Sequence, residues 1–402
     1  MKRWVLKNGM TLLYEPKRTA SVTVQVLVNV GSDWEKRLFG ISHFIEHMVF
    51  EGTKKRKDAK EITNAVEKVG GVSNAYTTNA RTCYHIKVPK KHFDVALDVT
   101  ADTLINPLFR PKDTERQKNI IFKEIDLVTD EPRYHQWILF QKALFLKHPS
   151  RNPTYGTRAS VKNVRSEDLW KFFRDNYYPK NMIIAIVGEV KDVKRKVETI
   201  FNNKSEKKWA TKAIVHEPEQ KSVRVKKEKR KDQESTYLII GHRTVPRLHK
   251  DSYAVDIIGG ILGRGQSGWM FDEIRNKRGL AYEVGTEQAN ELDFGFFATF
   301  SSVDSKNVEK VKELILQQLK KLEKVSRMDV QEAKTYIEGS YLLDSEDTQK
   351  VADELLFWEQ MGDAQGHKRY LKKIQAVSVD DVRRVAKKYF SKPYVMAVIE
   401  GK

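Results

Sequence analysis

Apolar residues recur along this chain with two periods, and the switches between them lay out its elements. Trp4-Val5-Leu6, then Asn8-Gly9, then Met10 to Tyr14 read as a β-hairpin, because Asn-Gly is the favoured two-residue turn. Val22-Thr23-Val24-Gln25-Val26-Leu27-Val28 alternates every second residue and predicts a strand running to Gly31. After a polar loop the period lengthens. Ile41, Phe44, Ile45, Met48 and Val49 form the apolar stripe of a helix that follows Gly40 and closes at Glu51-Gly52-Thr53. A second helix is expected at about 58–69 and a strand pair near 72–88. Further helices are expected over 93–106 and 111–128, the latter opened by Pro111 and Asp113.

Two stretches repeat each other. Val164, Asp168, Leu169, Tyr177 and the apolar run from Met182 correspond to Val377, Asp381, Val382, Phe390 and the run from Tyr394. The repeat predicts two related α+β halves. We expect an N-terminal domain over 1–208, a linker over 209–222, and a C-terminal domain over 223–402. The linker falls in a stretch rich in Lys, Asn, Ser and Glu.

The polar side of the helix after Gly40 carries the candidate chemistry. His43 and His47 are four residues apart, so both imidazoles project from one face, and Glu46 shares it. Two imidazoles for a metal and a carboxylate to act as base are the donor set of a zinc hydrolase, in the His-x-x-Glu-His order. Alone, the pentapeptide also fits two surface histidines. A catalytic zinc wants a third protein ligand.

Composition narrows the alternatives. With 402 residues and 40% hydrophobic content the chain is long enough for more than one core. No apolar run is long enough for a transmembrane helix, and the N-terminus turns polar at Lys7-Asn8-Gly9, unlike a secretory signal. The single Cys83 excludes an internal disulfide framework and fits a reducing cytoplasm. The net charge of +19 is spread over 73 basic residues mixed with 54 acids, with no nucleic-acid motif. Neither nucleic acid nor membrane is therefore expected as a partner.

The candidate third ligand is Glu124, in the helix over 111–128, with seventy-six residues between it and His47. Here the chain resembles the pitrilysin and insulysin family of inverzincin zinc peptidases, in the half-length branch that includes mitochondrial processing peptidase. The resemblance is carried by Gly31, Gly40 through Thr53, the spacing to Glu124, Asn74-Ala75-Tyr76-Thr77, His148-Pro149 and Gly156-Thr157, and it covers essentially the whole chain. It implies two duplicated α/β-sandwich domains, each a mostly antiparallel sheet packed with helices, together forming half of a clamshell chamber. It implies one zinc per chain on His43, His47 and Glu124, Glu46 as catalytic base, and a peptide substrate added as a strand along Asn74 and Ala75.

The resemblance also gives meaning to Arg275 and Tyr282, a pair that would bind a substrate carbonyl and the oxyanion developing on it. The second half has no His-x-x-Glu-His. Gly259-Gly260 through Gly268 stands in its place and reads as a glycine-rich entry to a helix, since the Lys-Ser/Thr of a phosphate loop is missing. One position departs from the pattern: Gln117 stands where the family usually carries a glutamate seven residues before the ligand. A glutamine can hydrogen-bond a ligand histidine but brings no charge. The expected function is a zinc endopeptidase acting on peptides or small unfolded chains as a homodimer, with Arg275 and Tyr282 acting across the dimer. The alternatives are the catalytic subunit of a heterodimer and a non-catalytic structural or chaperone-like homologue.

Overall fold

The computed structural model describes residues 1–212 and 214–402. Its strands are β1 (Lys2–Val5), β2 (Thr11–Glu15), β3 (Ser21–Val28), β4 (Val72–Thr77), β5 (Thr82–Pro89), β6 (Met182–Val187), β7 (Arg224–Lys229), β8 (Ser235–Arg243), β9 (Ala281–Asn290), β10 (Gly295–Asp304) and β11 (Val395–Glu400). They form one sheet in the order β1-β2-β6-β3-β5-β4 and a second in the order β7-β11-β8-β10-β9. In each sheet one pair is parallel, β2 with β6 and β11 with β7, and the remaining pairs are antiparallel. Without β1, the two orders are the same topology twice, as the sequence repeat implies. No described helix is long and apolar enough to cross a membrane.

The first five longer helices are α1 (Ile41–Met48), α2 (Ala59–Glu67), α3 (Phe93–Ile105), α4 (Pro111–Asp130) and α5 (Pro132–Leu144). Val22, Val24, Val26 and Val28 of β3 pack into one core with Phe44, Ile45 and Met48 of α1 and Phe93 and Leu97 of α3. The opposite face of this sheet is also covered. Leu13, Leu27, Ile183 and Ala185 meet Ala352, Leu355 and Leu356 of the helix Thr348–Gln360.

That covering helix comes from the second half of the sequence, and the exchange is reciprocal. Phe140, Ala143 and Leu144 of α5 pack on Ile239, Phe296, Ala298 and Ala397 of the second sheet. The compact units are accordingly Met1–Asp126 with Asn152–Ala213 and Leu343–His367, and Leu127–Arg151 with Ile214–Leu342 and Lys368–Lys402. They interleave along the chain, whereas the sequence suggested consecutive domains at 1–208 and 223–402. A repeat marks which segments are related; it does not say which sheet an amphipathic helix will cover.

Two local expectations are corrected. The Asn8-Gly9 hairpin is not a two-residue turn, because only Gly9 has a positive φ, at 88°. Gly9 N–H bonds Leu6 O and Leu6 N–H bonds Met10 O, giving a three-residue loop that ends in the left-handed region. Gly259, Gly260 and Gly263 lie inside a helix, Ser252–Gly263, instead of leading into one. The missing side chains let that helix lie close to Gln288, Ala333 and Thr286.

The exchanged helix on the first sheet is held by polar as well as apolar contacts. The Asp353 carboxylate accepts from the Tyr76 hydroxyl and the Gln25 and Gln349 amides, and Thr348 bonds Thr23. Removing the acceptor strands the fully buried Gln25 amide beneath the helix. Asp353→Ala should therefore destabilise by about 1–3 kcal/mol in urea unfolding. A change below about 0.5 kcal/mol would mean that this polar seam contributes no stability.

Candidate metal centre

The metal face begins with the way α1 is anchored. Gly40 precedes it with φ +93°, and a Cβ there would lie 2.5 Å from the Tyr155 carbonyl oxygen, so only glycine fits. The N-terminal amides of α1 meet a side-chain carboxyl group instead of a cap from Gly40 itself. Glu35 accepts from Gly40 N–H at 2.7 Å and Ser42 N–H at 2.9 Å. Burial pushes the Glu35 carboxyl up to about 8, against the pull of those two amides. Ile41, Phe44, Ile45 and Met48 are buried on the core side, which turns His43, Glu46 and His47 to the other.

α4 presents Gln117 and Glu124, two turns apart, on one face. His43 Nε2 and His47 Nε2 are 3.3 Å apart, and Glu124 Oε2 lies 3.7 Å from the first and 3.5 Å from the second. A tetrahedral zinc with bonds of about 2.1 Å separates its ligand atoms by roughly 3.4 Å, so the spacing fits. Among the described residues this is the only cluster of three His, Cys, Asp or Glu side chains with the reach to hold an ion. Burial, and then the neighbouring His47, lower the His43 imidazole to about 3, which leaves it neutral at pH 7 as a ligand must be.

Glu46 stands between the two histidines, and the Thr77 hydroxyl donates to its carboxylate. Burial raises the Glu46 carboxyl, partly offset by that hydrogen bond and by His47, while Glu124 pushes it up further. Behind the ligands, His47 Nδ1 lies 3.0 Å from Gln117 Oε1, and the Gln117 amide nitrogen donates to the Glu51 carboxylate. The sequence reading included Thr77 and Glu51 in segments that resemble the family but gave neither a role in the site, although signals for both were present. Thr77 is in phase with Ala75 on its strand, and Glu51 follows His47 by one helical turn.

Asn74 and Ala75 lie on β4, whose partner is β5 and which forms the edge of the first sheet. Val72, Ser73 and Asn74 are exposed, and the Asn74 side chain accepts from Ala75 N–H at 2.9 Å. In the second unit the Arg275 guanidinium stands 5.5 Å above the Tyr282 ring and 4.8 Å above Phe271. Tyr282 is 75% exposed on β9, an edge strand, at a bulge where the pairing to β10 slips from Ser302 to Val303.

Residues 11–158 match the family description "Insulinase (Peptidase family M16)", and residues 163–337 match "Peptidase M16 inactive domain". The chain belongs to peptidase family M16. The M16 match to the first half contains every residue of the cluster above, and the half without His-x-x-Glu-His matches the inactive domain. Among M16 relatives, an uncharacterized zinc protease of Bacillus subtilis, YmxG, is 28% identical over 99% of this chain and 98% of its own. One from Rickettsia felis is 29% identical over 98% and 96%. A crystal structure of a protease from Helicobacter pylori superposes with a TM-score of 0.92 at 26% identity, covering 99% of both chains. The M16 inactive-domain structure from Pseudomonas fluorescens, at 19% identity and a TM-score of 0.90, shares the fold. Family membership and the naming of these relatives as zinc proteases support a metallopeptidase with zinc as its metal.

The anchoring of α1 gives a direct test. Glu35→Ala should cost about 1–3 kcal/mol, because two buried amides lose their acceptor. Glu35→Gln, with one amide oxygen, should recover part of that in thermal unfolding. Equal stability of the alanine variant would show that water replaces the Glu35 carboxyl group.

Proposed function

We propose that this chain is a zinc endopeptidase in which His43, His47 and Glu124 hold one metal ion and Glu46 is the catalytic base. The observation that carries the reading is the close approach of three ligand atoms, all within 4.8 Å of one another, beside a buried carboxylate. Zinc, when bound there, supplies a Lewis acid that acidifies water and polarises a peptide carbonyl. Glu46 takes the proton from the attacking water and returns it to the leaving amine. Thr77 holds that carboxylate in one orientation throughout. The substrate backbone pairs with the free edge of β4 near Asn74 and Ala75, which binds by main-chain hydrogen bonds with little demand on sequence.

Arg275 and Tyr282 complete the site as donors to the substrate carbonyl and its oxyanion. They are contributed by a second copy of the chain in a homodimer, whose enclosed chamber admits peptides and small unfolded chains.

Purified protein should cleave internally quenched peptides, and a zinc chelator should abolish cleavage reversibly. Glu46→Gln should bind zinc with the wild-type stoichiometry and lose at least about 100-fold in kcat. Full activity in that variant would remove Glu46 from the role of base, while zinc binding without any cleavage by the wild type would point to a missing partner subunit. Glu46→Gln and Arg275→Ala proteins, each weak alone, should regain activity when mixed. No recovery in verified mixed dimers would rule out action across a homodimer.

A further inference from the structure

We propose that Glu51 is a positioning residue for the metal centre: through the Gln117 amide it fixes His47 as the tautomer whose Nε2 is free to ligate. The proposal rests on the zinc reading above. Its argument begins with what each group can do. A carboxylate paired with a guanidinium only accepts hydrogen bonds, so the Gln117 end facing Glu51 must be its NH2 group. The Gln117 carbonyl oxygen then faces His47 Nδ1 at 3.0 Å. A carbonyl oxygen also only accepts, so Nδ1 must carry the hydrogen. A neutral imidazole has one N–H, and Nε2 therefore keeps its lone pair toward His43 and Glu124.

Without Glu51 the amide loses this direction. A glutamine can turn its amide by half a rotation and present NH2 to His47 Nδ1, which would then accept and leave the hydrogen on Nε2, where it blocks the metal. Glu51 is itself held against swinging away. It is 7% exposed, Arg116 donates to its second oxygen, and Arg110 donates to its backbone carbonyl at 2.8 Å. Asp113 in turn holds Arg116 at 3.0 Å and also accepts from Arg110. His43 has no such device, since its buried Nδ1 has no hydrogen-bond partner among the described residues. Tautomer selection in this pair thus falls on His47.

The relay also accounts for Gln117. The negative charge that a glutamate there would place directly behind the histidine stands one hydrogen bond further out, on Glu51, and a neutral amide is what can bridge an acceptor to an N–H. A glutamate at 117 would instead set two carboxylates against each other.

The test uses the full chain as wild type, Glu51→Gln, Gln117→Glu and the double variant. Zinc affinity is read by competition with a chromophoric chelator, and the His47 tautomer by nitrogen NMR of histidine-labelled, metal-free protein. Wild type should show hydrogen on Nδ1. Glu51→Gln should mix the tautomers and weaken zinc about 10- to 100-fold. Gln117→Glu should also weaken zinc. Adding Glu51→Gln to it should recover most of the loss, because the amide introduced at position 51 can donate to the carboxylate introduced at position 117. Gln117→Glu leaves Arg116 its partner, so it stays informative if Glu51→Gln fails to fold. The proposal is overturned by hydrogen on His47 Nε2 in the wild type, by an unchanged tautomer in Glu51→Gln, or by tighter zinc in Gln117→Glu. A wild type that binds no zinc would overturn the peptidase reading and leave the tautomer measurement to judge the relay by itself.

Discussion

Two imidazole nitrogens 3.3 Å apart, with a carboxylate oxygen within 3.7 Å of both, are held together in this fold although none of the three donates to another in the form that binds a metal. Neutral imidazoles that direct lone pairs at one point repel, and burial keeps the His43 ring from relieving this by taking a proton. The arrangement persists because the scaffold leaves its parts no alternative. α1 buries Phe44, Ile45 and Met48 in the core, Glu35 holds its first amides, and the turn after it is tied by Arg110 to the Glu51 carbonyl. Such pre-positioning is what a metal site needs if binding free energy is to go into affinity and not into ordering side chains.

The edge strand β4 shows how the same logic extends to the base. Neighbouring residues on a strand point to opposite faces, and here each face is fixed by a different element. Tyr76 reaches the Asp353 carboxylate on the exchanged helix, while Thr77, one residue on, reaches the Glu46 carboxylate. The strand that we propose as the substrate's pairing partner is therefore also the strand that holds the Glu46 carboxylate, the base we propose. Under that proposal a peptide paired with β4 would be placed relative to Glu46 by the strand itself, with no loop to intervene.

How much of this could be read from the chain follows the range of the interactions. His43, Glu46 and His47 were legible because one helical period places them together. Glu124 was not legible by period, since seventy-six residues intervene, and it was named only through resemblance to a family. The repeat of 164–189 in 377–400 reported the doubled topology correctly. It could not report that α5 and the helix Thr348–Gln360 exchange sheets, because an amphipathic stripe does not name its partner. The strand β3 illustrates the same limit: its alternation identified a strand, but it did not report that Thr23 and Gln25 are fully buried under the exchanged helix. Glu51 was hidden for the opposite reason, being read as the closing residue of a helix when its spacing from His47 already put it on the metal face.

The doubled fold also explains how one chain can carry two kinds of chemistry. Matching the sheet orders makes β9 the counterpart of β4, so each unit offers an edge strand next to a helix. In the first unit the helix near that edge carries His43, Glu46 and His47. In the second, Ser252–Gly263 carries glycines that let it pack closely against β9, which leaves no room for imidazoles on that face. What remains there is Arg275 stacked over Tyr282, with the tyrosine pushed outward by a bulge that the first unit's edge pair lacks. Duplication supplied two equivalent edges. Only one of them stands beside the cluster of His43, His47 and Glu124 among the described residues, so under the function proposed above the Arg275 and Tyr282 pair on the other edge serves a metal held at a separate copy of the first edge.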